Sequence, residues 1–333
     1  MPIRPHLSQH EKADDLPLIT ESAVVTDMTV MDENRKDEVV SALEDIVDGE
    51  LPRNEGEPDW KTVEEKVSDG GDKDKKKLAK LRERYERPYP SLMSIRFKAE
   101  DEYDFAAGQS VTVRFHDTPR PYSLASSPND CEDEICIKRV PGGQLTSELF
   151  ENMSEGAVIT VRGPNGDFIL QEPSERDMVF LATGTGVAPL RSMIRYTFQE
   201  ERDFYEDDNG DEKRRNVWLF LGASWKDDLP YRQEFEKLDE ERENFHFVPT
   251  LSRENYLTDW EGETDYVQDT LVKYLDDPEN EPNGEPAYDI DARLNPENME
   301  VYACGVSAMV ESVVDAVQDA SVPEECIEAE GFG

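Results

Sequence analysis

At about Asp177 the hydrophobic rhythm of this 333-residue chain changes. Before it, short β-rich runs are separated by turns, at 92–97, 109–115, 122–125, 134–140 and 157–162, with one short helix near 144–152. Short strands at this spacing predict an antiparallel barrel. After it, apolar strand patterns at 178–182, 217–223, 245–250 and 300–304 alternate with helical patterns at 189–199, 231–240, 266–275 and 308–319. That alternation predicts a parallel sheet with crossover helices. The expected fold class is therefore β plus α/β: an antiparallel β-barrel followed by a doubly wound, Rossmann-like domain. A length of 333 residues suits two domains at roughly 150 residues each.

Upstream, residues 1–17 read as a polar tail and 22–31 as a strand. The stretch 33–87 is mostly charged, with helical patterns around 38–47 and 72–85 and a Pro/Gly/Glu loop at 51–59. The acidic runs 200–212 and 276–291 read as solvated loops.

Charge narrows the function classes. The formal net charge is −41, and 34% of residues are charged against about 25% in an ordinary soluble protein. Phosphate backbones and anionic lipid repel such a chain, which argues against nucleic-acid and membrane-surface roles. The carboxylates are dispersed and lysine is scarce, 15 against 21 arginines. Such a coat suits concentrated salt, where the Debye length falls to about 3 Å near 1 M and like charges repel weakly. A salt-loving archaeal cytoplasm is the preferred setting, an unusually acidic mesophilic protein the alternative. The first residues, MPIRPHLS, lack the apolar stretch expected of a signal peptide, and no run approaches the ~20 apolar residues of a membrane span. Cys131, Cys136, Cys304 and Cys326 show no CxxC or cluster spacing, which reads as free thiols in a reducing cytosol, and no metal site is expected.

Four motifs carry chemistry. Arg120-Pro121-Tyr122-Ser123 places a cation, an aromatic ring and a hydroxyl on a strand. Gly142-Gly143-Gln144-Leu145-Thr146-Ser147 leads into a helix, whose free N–H groups suit an anion, although Thr146 or Ser147 can equally be an N-cap. Thr183-Gly184-Thr185-Gly186-Val187-Ala188-Pro189 follows an apolar strand and opens a helix, the geometry that holds a pyrophosphate. It reads GxGxxP and departs from the common dinucleotide fingerprint. Cys304-Gly305 ends a strand, where open α/β sheets bind ligands, although a cysteine there can also be a small buried apolar residue.

In their order and spacing these motifs resemble the ferredoxin–NADP⁺ reductase family, from about Pro90 to the C-terminus. The matching runs include PSLMSIRF, RPYSLASSP, GGQLTSELF, VFLATGTGVAPLRSMI, VYACG and EAEGFG. The resemblance implies a flavoenzyme with an FAD barrel and a nicotinamide domain, passing hydride between NAD(P)H and flavin and single electrons to a separate carrier. It implies that Arg120 meets the flavin phosphate, Tyr122 packs on the isoalloxazine and Ser123 lies near N5. Gly143 and Thr146 match the flavin diphosphate turn; Gly184, Thr185 and Gly186 match the nicotinamide-dinucleotide turn; Cys304 sits beside the nicotinamide. Ser252, Arg253, Tyr266 and Gln268 match a pocket for the 2′-phosphate of NADP(H), which is favoured over NAD(H), although Glu254 and Asp265 add negative charge nearby. The ending departs from the plant pattern, since Phe332 is followed by Gly333; Phe332 is expected to cover the flavin and Glu330 to lie near the nicotinamide.

Family barrels run almost directly from first to second strand, so residues 33–88 are expected to be an insertion inside the barrel. The alternative is an N-terminal extension with the barrel starting near Arg87. The resulting division is a tail at 1–17, an FAD domain at 18–172 and an NAD(P) domain at 173–333. Residues 73–87 carry a net +5, expected to dock an acidic carrier such as a ferredoxin. Against ferredoxin reduction stand the reductase component of an oxygenase or desaturase system and a non-enzymatic flavin-binding regulator.

Overall fold

The computed structural model describes residues 9–68, 71–116, 118–140, 142–207, 209–276 and 284–332. Within the expected polar tail, Gln9–Asp15 form helix α1, and buried Gln9 donates Nε2 to Tyr196 Oη at 3.1 Å. Residues 1–8 lie outside the described part. Strand β1 (Ile19–Val30) follows, then a layer made of α2 (Lys36–Val47), a short hairpin of β2 (Arg53–Asn54) and β3 (Glu57–Pro58), α3 (Trp60–Val67) and α4 (Asp72–Glu86). Then come β4 (Leu92–Ala99), β5 (Ser110–Phe115), β6 (Thr118–Ser123), β7 (Asp133–Lys138), helix α5 (Gln144–Asn152) and β8 (Val158–Asn165).

Six of these strands form one antiparallel sheet in the order β6-β5-β8-β1-β4-β7. A bridge between Leu124 and Ile135 brings its two edges together, so the barrel is nearly closed. Alternation does the work: Val111, Val113 and Phe115 of β5 point into the core while Thr112 and Arg114 do not. Each such side chain, fully buried, contributes about 1.5–3 kcal/mol. β1 pairs with β8 through Ile19–Val24 and with β4 through Ala23–Val30. The helical layer therefore leaves and re-enters the barrel between two hydrogen-bonded neighbours. Loop-closure entropy grows only logarithmically with length, so so long a detour is tolerated.

The second half contains β9 (Asp177–Thr183), α6 (Val187–Gln199), a hairpin of β10 (Phe204–Glu206) and β11 (Glu212–Arg214), β12 (Val217–Ala223), α7 (Arg232–Glu241), β13 (Phe245–Leu251), α8 (Val267–Val272), β14 (Met299–Val306), α9 (Ser307–Asp319) and β15 (Ile327–Phe332). Five strands form a parallel sheet in the order β13-β12-β9-β14-β15. Leu190 and Ile194 of α6 and Phe235 of α7 pack on one face. Leu271 of α8 and Val313 and Val317 of α9 pack on the other. The order reverses between β9 and β14, which opens a crevice beyond the strand ends there.

The acidic run 200–212 is not simply a solvated loop. Arg202 and Asp203 are buried, and Asp203 meets Arg214 at 2.7 Å, which ties the β10–β11 hairpin to the domain. Of the second acidic run, residues 277–283 lie outside the described part. The closing strand β15 escaped the periodicity because Glu328 and Glu330 interrupt its apolar pattern.

The inserted helices have their own core of Val39, Leu43, Val63, Leu78 and Leu81, completed by Trp225 from the loop after β12. Tyr256 and Leu257, after β13, pack against the same cluster. A layer that belongs to the barrel by sequence is thus seated on the α/β domain. Buried ion pairs fasten it. Arg35 makes two bonds to Glu254, 2.8 and 2.9 Å, Arg84 meets Asp227 at 2.6 Å, and Arg87 meets Asp228 at 2.6 Å.

Candidate functional site

A cleft of about 990 Å³ lies at the carboxyl ends of β9, β12 and β13. Its floor includes Thr183, Gly184 and Thr185, between β9 and α6. Gly184 has φ +52°, a left-handed conformation that glycine adopts without a Cβ penalty, and space is open around it. Gly186 is required for the opposite reason: a Cβ there would stand 2.3 Å from the Cys304 carbonyl oxygen. The turn can therefore lie directly on the end of β14. Thr183 Oγ1 is buried with no hydrogen-bond partner among the described residues, and it lies against β14, where a Cβ on Gly305 would stand 2.6 Å from it. An uncapped helix start above a glycine turn suits a pyrophosphate.

Ser252, Arg253, Tyr266 and Gln268 line the far end of the same cleft. Tyr266 is exposed at the start of α8, and Arg253 follows β13. Of the two acids expected to oppose a phosphate here, Glu254 is fully buried and is spent on Arg35, the Lys226 N–H at 2.7 Å and the Thr258 hydroxyl at 3.1 Å. Asp265 lines the cleft but is paired with Lys273 at 2.7 Å.

The barrel residues fit a flavin nucleotide on two counts. β6 is an outer strand, and its Arg120 is exposed, with its guanidinium bonded to the neighbouring Pro119 carbonyl at 2.8 Å. Beside β6, helix α5 begins at Gly143 with no side-chain cap, so neither Thr146 nor Ser147 is an N-cap. Thr146 Oγ1 instead accepts the Val140 N–H at 3.2 Å and shapes the turn. Tyr122, half-buried between them and the barrel, has its hydroxyl pushed up to about 12 by burial. Pro121 holds the intervening position without needing an N–H on that outer strand.

The two halves meet through a short path of strand ends. Ser123 is opposite Ser110, and Ser110 is opposite Asn165. At the adjoining Gly166 a Cβ would stand 3.9 Å from Ser110 Oγ and 4.0 Å from Glu330 Oε1. Glu330 is in turn level with Cys304 on β14, and Gly331 with Gly305. Burial pushes the Cys304 thiol well above its usual value, and Glu330 adds to the push, so it stays protonated. Burial also raises the Glu330 carboxyl. Phe332, partly exposed and level with Val306, lines the cleft at this end. Arg191 locks the halves together: from α6 it reaches the Ala125 carbonyl at 2.7 Å and Glu134 at 3.3 Å across the junction.

Sequence reasoning missed one wall of the cleft. Lys76, Ala79 and Lys80 of α4 line it, facing Arg253. The basic run itself was legible, but its placement was not, because nothing local tells that the insertion seats on the α/β domain. Arg84 and Arg87 of the same run are withdrawn into ion pairs and present no docking surface.

Two protein-family models match parts of the chain. Residues 90–169 match the oxidoreductase FAD-binding domain and residues 180–315 the oxidoreductase NAD-binding domain. The phenol hydroxylase P5 protein of Acinetobacter pittii is 28% identical over 73% of this chain and 62% of its own. The chloroplastic ferredoxin–NADP reductase of Mesembryanthemum crystallinum is 31% identical over 66% of this chain and 61% of its own. The crystal structure of a ferredoxin NADP⁺ reductase from Neisseria gonorrhoeae with bound FAD and NADP superposes with a TM-score of 0.57 at 22% identity, covering 73% of this chain and 93% of that one. The chain spans about half to three fifths of the length of several curated relatives it matches. It belongs to the ferredoxin–NADP⁺ reductase-like flavoprotein oxidoreductases, with an FAD-binding and an NAD-binding domain. Among the described residues no helix is long and apolar enough to cross a membrane.

Proposed function

We propose that the protein is an FAD-dependent oxidoreductase that takes hydride from NADPH, with NADH a poorer donor, and passes electrons singly to a separate carrier. The observation that carries this is the path of strand ends from Ser123 through Gly166 and Glu330 to Cys304, which joins the flavin side to the nicotinamide side. Bound FAD supplies a hydride acceptor that can also release one electron at a time. Arg120, Pro121, Tyr122, Ser123, Gly143 and Thr146 would hold it. The turn Thr183–Gly186 would bind the nucleotide's pyrophosphate, and Ser252, Arg253, Tyr266 and Gln268 its ribose phosphate. Cys304 and Gly305 let the nicotinamide approach closely, and protonated Cys304 adds no charge beside it. In this reading the FAD domain runs over 18–172 with the insertion at 33–88, and the NAD(P) domain over 173–333.

A ferredoxin is the favoured carrier, in line with the relative from Mesembryanthemum crystallinum, and Lys73 and Lys75, exposed at the start of α4, are its docking cations. The alternative, supplying an oxygenase, is favoured by the likeness to the phenol hydroxylase P5 protein. A dispersed acidic coat of net charge −41 supports work in a salt-rich archaeal cytoplasm, and four unpaired cysteines suit a reducing compartment. The test is anaerobic flavin bleaching in molar KCl, with NADPH and then NADH, followed by titration with ferredoxin. Rapid bleaching by NADPH and reoxidation by ferredoxin are expected. No bleaching with either nucleotide overturns the reading.

A further inference from the structure

Helix α4 has two faces. Leu78, Leu81 and Tyr85 point into the core of the insertion. The opposite face carries Lys76, Lys80 and Glu83, spaced i, i+4 and i+7, and its two lysines line the cleft opposite Arg253. Glu83 bridges the two walls: its carboxylate accepts from Lys80 Nζ at 2.8 Å and from Arg253 Nη1 at 3.4 Å. Those contacts hold the Glu83 carboxyl below its usual range, Lys80 first. Lys76, exposed, has no ion pair among the described residues. Beside the far end of the nucleotide cleft, then, a carboxylate that is not itself part of the lining holds two of the lining cations, Lys80 and Arg253, with Lys76 one helical turn from Lys80.

We propose that α4 completes the site for the phosphomonoester on the adenosine ribose of NADPH, with Lys80 and Lys76 as specificity-determining residues and Glu83 as an internal anion that the phosphate displaces from Arg253. This rests on the proposed reading that the cleft takes a nicotinamide dinucleotide. The chemistry favours it. A phosphate dianion bears more charge and more acceptor oxygens than one carboxylate, and Arg253 offers a planar fork where the lysines offer point charges. Because the contacts are close, they survive salt that screens longer-range attraction. Through this helix the insertion becomes part of nucleotide recognition instead of an appendage to the barrel.

The test is calorimetric titration of the FAD-loaded full chain with adenosine 2′,5′-bisphosphate and with adenosine 5′-monophosphate, in 0.2 M and 2 M KCl. Wild type is expected to prefer the bisphosphate at both salts. In K76A/K80A that preference falls on the order of 10-fold, while affinity for the monophosphate moves less than about 2-fold. E83Q, which frees Arg253 and Lys80, strengthens bisphosphate binding several-fold. Unchanged bisphosphate affinity in K76A/K80A, or an equal loss for both ligands, overturns the proposal and leaves the wider functional reading intact. If wild type binds neither ligand and its flavin is not bleached by either dinucleotide, both fall.

Discussion

Arg35 is the place to break the joint between insertion and α/β domain. Its side chain is 5% exposed and that of Glu254 is 0% exposed, so the pair is out of water. Replacing Arg35 with Met keeps much of its volume and leaves the Glu254 carboxylate buried without its main partner. Breaking one side of such a pair costs about 3–5 kcal/mol. R35M should therefore lose that amount, and R35M/E254Q should recover at least about 1 kcal/mol of it, because no charge is then stranded while the amide oxygen still accepts the Lys226 N–H. Urea unfolding followed by tryptophan fluorescence reads the loss directly, since Trp60 and Trp225 both pack on the insertion core. Burial also makes the cost insensitive to KCl between about 0.2 and 2 M, unlike a surface pair. pH supplies a second reading. Burial alone would raise the Glu254 carboxyl, but the Arg35 guanidinium and the Lys226 N–H outweigh it and hold it low. The folded pKa lies below the unfolded value of about 4.3, so the stabilisation is fully present above that pH and is lost as pH falls through the folded pKa. R35M should erase that acid-side dependence. A cost under about 1 kcal/mol near neutral pH, or a double variant no better than R35M, would refute the reasoning.

C304A should slow flavin reduction by NADPH by up to about 100-fold in stopped-flow while leaving flavin content unchanged, since it alters how closely the nicotinamide packs and not the barrel. G186A should abolish nucleotide binding in calorimetry, because its Cβ would stand 2.3 Å from the Cys304 carbonyl oxygen and must push the turn off β14; overpacking of this kind costs about 1–3 kcal/mol. Burial raises the Glu330 carboxyl, so the folded state holds its proton longer than the unfolded one and stability is lost as pH rises through the folded pKa. E330Q should then be more stable than wild type at pH 8 and no more stable at pH 4, by urea midpoints. Raising KCl from 0.1 to 2 M should raise the urea midpoint of the wild type by screening its dispersed carboxylates, and a flat response would count against salt adaptation.

Most of the architecture was legible because it is written in local periodicity. The α6 turn could be placed from Thr183-Gly184-Thr185-Gly186 alone, since a strand, a glycine turn and a proline-tolerant first helical turn leave little choice of geometry. Strand β12 was readable as an unbroken apolar run because it is buried on both faces. What periodicity hides is anything decided by tertiary partners. The hairpin within 200–212 looks like acidic loop until Arg202 and Asp203 are seen to be buried, and β15 hides behind its glutamates. α3 is hidden within the mostly charged stretch 33–87 because only Val63 and Val67 of its eight residues are buried.

The same limit explains the fate of the charges beside the nucleotide cleft. Read along the chain, Glu254 next to Arg253 argues against a bound phosphate, and a basic run some 170 residues away argues for a protein partner. In the fold Glu254 turns inward to Arg35, a residue of the insertion, so its charge is already neutralised. The basic run divides: Arg84 and Arg87 hold the insertion on the α/β domain, and Lys76 and Lys80 enter the cleft. A triple reversal of Lys75, Lys76 and Lys77 would thus mix two effects, carrier docking and nucleotide recognition. Separating Lys73 and Lys75 from Lys76 and Lys80 makes each effect measurable, the first by the ferredoxin concentration needed for reoxidation and the second by the bisphosphate titration. The charge that stands out against an acidic chain is informative because it divides three ways: Arg84 and Arg87 are withdrawn into ion pairs, Lys76 and Lys80 line the cleft, and Lys73 and Lys75 stay exposed at the start of α4.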